Sequence, residues 1–215
     1  EALHACTTGT RNTGVGAHAL DNVTTGSDNT GIGYHAIGAA TTGANNVGIG
    51  KNAMADSTTS TGNVAIGYNA LVTNTTGSGN VAIGISALDA STTVSYQVAI
   101  GYAALGSNTT GSKNVAIGVD SLTNNTTADN NTGVGFQTLN ANTTGHSNTA
   151  IGADSGKNIT TGTQNTGVGY DSLEGTTTGY SNVAIGFAAM LGATTADRCV
   201  GIGANALDAA LTGND

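Results

Sequence analysis

Small apolar clusters return along this chain at a fixed interval: two β-branched residues around a Gly or Ala, then a glycine, then a lone Leu or Met four positions on. The glycine after Val or Ile falls at Gly16, Gly33, Gly50, Gly67, Gly84, Gly101, Gly118, Gly135, Gly152, Gly169, Gly186 and Gly203, always 17 residues apart. Residues 12–215 are twelve such repeats without insertion or deletion, and residues 1–11 are the end of a preceding one. Each repeat carries one short alternating run bounded by Gly and Asn, which predicts one strand per repeat and no helix. A strict period of this length predicts that each repeat is one coil of an all-β solenoid, a β-roll, with equivalent residues stacked as ladders. Coils then follow one another at about 4.8 Å, and twelve of them predict a rod on the order of 60 Å long.

Numbering the repeat from its first residue shows what each position demands. Column one is Asn12, Asn29, Asn46, Asn63, Asn80, Asn114, Asn131, Asn148, Asn165 and Asn182, interrupted only by Gln97 and Cys199. Columns two and four are Val, Ile or Thr, column three is always Gly or Ala, and column five is the invariant glycine. Column eight is Ala, Ser or Thr; column nine is Leu, Met or Ile except at Gly156; columns thirteen and fourteen are Thr-Thr except at Leu211. Alternation sends columns two and four to one face and column three to the other. This reading assigns the β-branched face and column nine to the core: Ile32, Ile49, Ile66, Ile83, Ile100, Ile117, Ile151, Ile185 and Ile202 with Leu71, Leu88, Leu105, Leu122 and Leu139. The small column-three face is then expected outside, where it admits close packing of another chain; the alternative is that Gly and Ala fill a narrow coil interior. Three apolar residues per coil fall well short of the entropy of ordering seventeen, so ladder hydrogen bonds and a partner surface are expected to contribute.

Composition sharpens the picture. Only 8% of residues are charged and 4% aromatic; there are 34 Gly, no Pro and no Trp, which excludes an ordinary helical globule. The formal charge of −8, with just five scattered cations, argues against nucleic-acid binding. No apolar run reaches the ~20 residues of a membrane-spanning helix. Cys6 and Cys199 are eleven repeats apart, about 50 Å in a continuous stack and beyond disulfide reach, so no intrachain bridge is expected.

Candidate chemistry is sparse. Column six holds six of the eight aromatics, Tyr34, Tyr68, Tyr102, Phe136, Tyr170 and Phe187, the first five two coils apart. They form a candidate stripe for a cell-surface glycan or a partner, or they pack over a turn. The Thr-Thr columns raise an ice-binding reading, yet adjacent residues point to opposite faces, so only one of the two columns can face out. His18 and His35 share column seven without a third ligand, and Asp120, Asp154 and Asp171 do not continue as a ladder, so no metal and no other cofactor is expected. No nucleophile recurs with a base and an acid, and a stack of coils offers little concavity; an enzyme is not expected.

The segments Asn63-Val64-Ala65-Ile66-Gly67, Asn80-Val81-Ala82-Ile83-Gly84 and Asn114-Val115-Ala116-Ile117-Gly118 resemble the head repeats of YadA-like trimeric autotransporter adhesins. The fuller repeat, as in residues 114–130 with Thr126-Thr127, is similar to repeat arrays of bacteriophage tail fibres. The resemblance implies a parallel homotrimer of left-handed β-rolls on a virion or cell surface, a rigid fibre segment for host or surface attachment. A bacterial adhesin head, an ice-binding solenoid and a self-assembling extracellular filament are the alternatives.

Overall fold

The computed structural model describes residues 1–209; Leu211 and the close of the twelfth repeat lie outside them. The chain forms two compact units, Glu1–Thr110 and Gly111–Asp215. The first contains strands β1 (Thr13–Val15), β2 (Thr30–Ile32), β3 (Val47–Ile49), β4 (Val64–Ile66), β5 (Val81–Ile83) and β6 (Val98–Ile100). The second contains β7 (Val115–Ile117), β8 (Thr132–Val134), β9 (Thr149–Ile151), β10 (Thr166–Val168), β11 (Val183–Ile185) and β12 (Val200–Ile202). Within each unit successive strands pair in parallel with a register step of one repeat, Val64 opposite Val81 and Thr132 opposite Thr149. This is a β-solenoid, one strand per 17-residue coil, as the period predicts.

The strand ends where the backbone turns out of the region that L-residues favour. Column five has φ between +121° and +140°. A methyl group added to Gly67 would stand 2.5 Å from the Gly84 carbonyl oxygen in the next coil, so glycine is required both by conformation and by space. Three further sharp bends complete the coil. Columns seven, nine and seventeen are left-handed at non-glycine residues, for example Asn52 (φ 58°), Met54 (φ 55°) and Asn45 (φ 58°).

The core differs from the expected one in which face of the strand it uses. Column three lies inside: Ala65, Ala82, Ala99, Ala116 and Ala184 have no exposed surface. It packs beneath column nine, where Leu71, Leu88, Leu105, Leu122 and Leu139 are fully buried as expected. The assignment of the strand isoleucines to the core does not hold. Ile32, Ile117, Ile151, Ile185 and Ile202 are exposed, and Ile49, Ile66, Ile83 and Ile100 are only half-buried. The reason is width. The coil interior accepts one long side chain per coil, and that chain leaves room opposite it for no more than a methyl group. At Gly48 even a methyl would lie 2.6 Å from Ile37 Cγ1. Column three must therefore be small and internal, and alternation throws columns two and four outward.

Two hydrogen-bond ladders hold successive coils. In the first, the column-one Asn side chains are buried from Asn29 onward; the Oδ1 accepts the backbone N–H of the next coil's column-one residue, as from Asn63 to Asn46 (3.0 Å) and from Asn165 to Asn148 (3.0 Å). The Nδ2 donates to the column-fifteen carbonyl of its own coil, Asn29 to Gly43 (2.8 Å) and Asn148 to Gly162 (2.8 Å). The substituted positions keep the backbone half of this pattern, with Gln97 N–H donating to Asn80 and Cys199 N–H to Asn182. In the second ladder the column-thirteen Thr hydroxyl donates to the column-thirteen carbonyl of the next coil, Thr58 to Thr75 (3.0 Å) and Thr160 to Thr177 (3.1 Å). Residues 1–11 join the stack through Leu3 N–H to the Ala19 carbonyl and Thr7 N–H to the Thr24 carbonyl.

Candidate functional site

With column three internal, the outer surface of each coil is set mainly by columns six, fourteen and seventeen, with columns two and four half-buried to exposed beside them. Columns two and four make an apolar ribbon on each unit. Its β-branched side chains stand in register on neighbouring strands, and Val15, Ile117, Ile151 and Ile185 are 37–56% exposed. The Gly/Ala face expected to meet another chain is sealed inside the coil, so any close apolar contact falls to the β-branched face instead.

Column six follows the glycine turn and carries the predicted aromatics. All six are about half exposed: Tyr34, Tyr68 and Tyr102 in the first unit, Phe136, Tyr170 and Phe187 in the second. None is buried over a turn. The residues between them in column six differ. Lys51 sets its Nζ 5.7 Å from the Tyr68 ring centre, and Ile85, half exposed itself, stands between Tyr68 and Tyr102. In the second unit Phe187 stacks on Tyr170 with ring centres 5.8 Å apart and planes within 10°.

Beside column six runs column seven. His18 meets the Tyr34 ring edge-on at 5.8 Å, and Tyr34 lies 6.2 Å from the His35 ring, so column-seven side chains reach the aromatics of their own and the neighbouring coil. His18 Nδ1 also lies 2.9 Å from Asp21 Oδ2, a hydrogen bond that draws the Asp21 carboxyl below its ordinary range. Asp154 holds Lys157 at 3.0 Å, which raises the Lys157 ammonium; Asp171 is pushed up by burial and by the neighbouring Asp154 charge. Arg11 clasps Asp28 one coil away through Nε and a terminal nitrogen, lowering the Asp28 carboxyl.

The Thr-Thr pair lies in a bend rather than a strand, and its two columns differ in exposure. Column thirteen carries the hydroxyl ladder and is half-buried in most coils, and column fourteen, including Thr25, Thr59, Thr144 and Thr161, is exposed. Cys199 is buried, and the Cys6 and Cys199 sulfurs each lie 3.4 Å from a nearby backbone carbonyl, of Gly9 and Asp197 respectively. Among the described residues no group of three or more His, Cys, Asp or Glu is arranged to hold a metal ion, and no helix is long and apolar enough to cross a membrane.

The outward β-branched ribbon is the feature the sequence reading misplaced. Its signal was present in column nine, whose single long residue needs a small partner opposite it. No family model, no curated protein and no solved structure matches the chain.

Proposed function

We propose that this chain is a segment of an attachment fibre in which three copies pack side by side, in parallel, through their β-branched ribbons. The observation that carries this reading is the ribbon itself: each coil turns two β-branched side chains (Val, Ile or Thr) outward, half-buried to exposed, repeated in register through each unit. Contiguous exposed apolar surface of this kind marks a contact with another molecule. A second copy is the occupant that matches it at every coil, because identical columns recur at identical spacing only on another chain of the same repeat. Parallel packing keeps those columns level, and three copies is the number that the repeat's resemblance to trimeric adhesin heads suggests. Such a fibre acts by reach and avidity, repeating weak contacts on three identical chains. Extracellular or virion-surface placement follows from that role.

Cysteine scanning tests it. With Cys6 and Cys199 replaced, Ile66→Cys and Ile151→Cys are expected to form interchain disulfides with the same residue of another copy. Thr76→Cys and Thr161→Cys, on the opposite Thr column, are expected to stay reduced. Equal crosslinking from both columns, or none from the ribbon, contradicts the assembly.

A further inference from the structure

The column-six aromatics are separated by side chains of very different size, and one gap differs from the rest. Between Tyr34 and Tyr68 stands Lys51, and between Tyr68 and Tyr102 stands Ile85. Between Phe136 and Tyr170 stands Ala153, whose methyl group cannot reach either ring plane across a coil step. Tyr170 turns one face to Phe187, at a ring-centre distance of 5.8 Å. Phe136 lies on the opposite side of Tyr170 in the same column, two coil steps or about 9.6 Å back along the stack, with Ala153 between them. Among the described residues this is the one interval between column-six aromatics whose intervening residue is as small as alanine.

We propose that Phe136, Ala153 and Tyr170 form a binding slot for a neutral pyranose of a surface glycan, the sugar lying between the two rings with Ala153 as its floor. The proposal rests on the attachment reading above and names the ligand for it. Three observations select a sugar. First, a flat arene midway in the slot would stand about 4.8 Å from each wall, beyond the ~3.5–4.0 Å of van der Waals contact. A pyranose chair carries axial C–H groups on both faces and is thick enough to close both gaps, placing polarised C–H bonds against the negative ring faces. Secondly, the polar side chains of column seven adjoin this column, and here they are Gln137, Asp154 and Asp171, which offer acceptors and an amide donor to sugar hydroxyls. Thirdly, Asp154, Asp171 and Glu174 outnumber the one nearby cation, Lys157, which is already paired with Asp154, and with the net charge of −8 this disfavours a phosphate against a neutral sugar.

Saturation-transfer NMR on the intact chain tests the slot, with cellotriose, maltotriose, chitotriose and adenosine monophosphate as probes. At least one trisaccharide is expected to receive saturation on its ring protons, and adenosine monophosphate none. Ala153→Ile closes the slot as Ile85 closes its own, and is expected to weaken the responding sugar at least tenfold. Tyr170→Ala removes a wall and is expected to do the same, while Tyr34→Ala leaves the signal unchanged. Circular dichroism and sedimentation mass of every variant show that fold and assembly persist. No response from any trisaccharide, undiminished binding by Ala153→Ile, or a nucleotide response equal to the sugar's overturns the proposal. So does a change in oligomer mass on Ala153→Ile without sugar binding, which assigns the slot to a contact between copies. Sugar binding by a monomeric chain leaves the slot standing and removes the trimer; a trimer deaf to every sugar does the reverse.

Discussion

The residue that most constrains each coil is the buried one in column nine, because it is also left-handed. Leu71 sits at φ 54° and Leu105 at φ 53°, both fully buried. A non-glycine residue in that region costs on the order of 1–3 kcal/mol, comparable to the ~1.5–3 kcal/mol that burying a leucine returns. Column nine is Leu or Met almost throughout, both unbranched at Cβ, and Ile37 at φ 51° is the β-branched exception. Ile37→Leu is therefore expected to raise the thermal midpoint, by the equivalent of about 1 kcal/mol, as read by circular dichroism. Gly156 breaks the column in the other direction. Its place is filled by Ile159 from column twelve, fully buried where neighbouring coils carry Asn or Thr; a methyl on Gly156 would lie 3.1 Å from both Ile159 Cδ1 and Leu139 Cδ2. Gly156→Leu alone is expected to destabilise by about 1–3 kcal/mol through overpacking, and Ile159→Ala added to it to restore most of the loss. Additive costs in the double variant would mean that the two positions do not share one space.

A titration belongs to the same scale. Burial raises the Asp89 carboxyl, with the Ser86 hydrogen bond only partly opposing it. A raised folded-state value means that the fold favours the protonated form. The associated stability is present in acid, below the ordinary carboxylate range, and is lost as pH rises through the raised value. Asp89→Asn is expected to raise the melting midpoint at pH 7 and to leave it unchanged at pH 3. A larger gain in acid than at neutrality would reverse the assigned sign.

At the scale of the element, the coil is held less by its three-residue strand than by the side-chain ladders beside it. Asn148 is the clearest case: its Oδ1 accepts the Asn165 N–H, and its Nδ2 donates to Gly162 in a buried setting. Asn148→Ala leaves both backbone groups without that partner, and a loss of about 2–4 kcal/mol is expected in denaturant unfolding. Gln97 and Cys199 show that the backbone part of the ladder survives substitution at a single coil. Much of this was legible beforehand. The period fixes coil length, the glycine of column five marks the end of the strand, and an Asn repeated in ten of twelve coils announces a ladder. The orientation of the strand was not legible from alternation alone, since Val-Ala-Ile has two faces and alternation does not say which is inside. Volume decides it: Ile37 against Gly48 leaves no space for a larger residue. The left-handed turn at column nine carries no sequence signal either, because Leu20 and Leu71 are not residues that favour such a bend, whereas column seven is Asn, Asp or His in eight of its twelve coils and does announce one. The aromatic column was visible in the sequence, but the different fillers between its rings acquire meaning only once the column is known to be exposed.

At the scale of the whole molecule, the consequence of that orientation is that the β-branched columns of the repeat face outward while Leu, Met and Ala fill the core. Under the proposed assembly, a second copy would cover the outward β-branched ribbon. Replacing Ile66, Ile83 and Ile100 together by Lys is expected to separate the copies without unfolding the coils, since these side chains lie outside the column-three and column-nine core. Retained assembly in that variant, judged by sedimentation velocity, would move the contact to another face. The most direct measurement is the mass of the wild-type chain by sedimentation equilibrium at micromolar concentration. Three times the mass of one chain is the predicted result; a stable monomer with the same circular dichroism spectrum would contradict it.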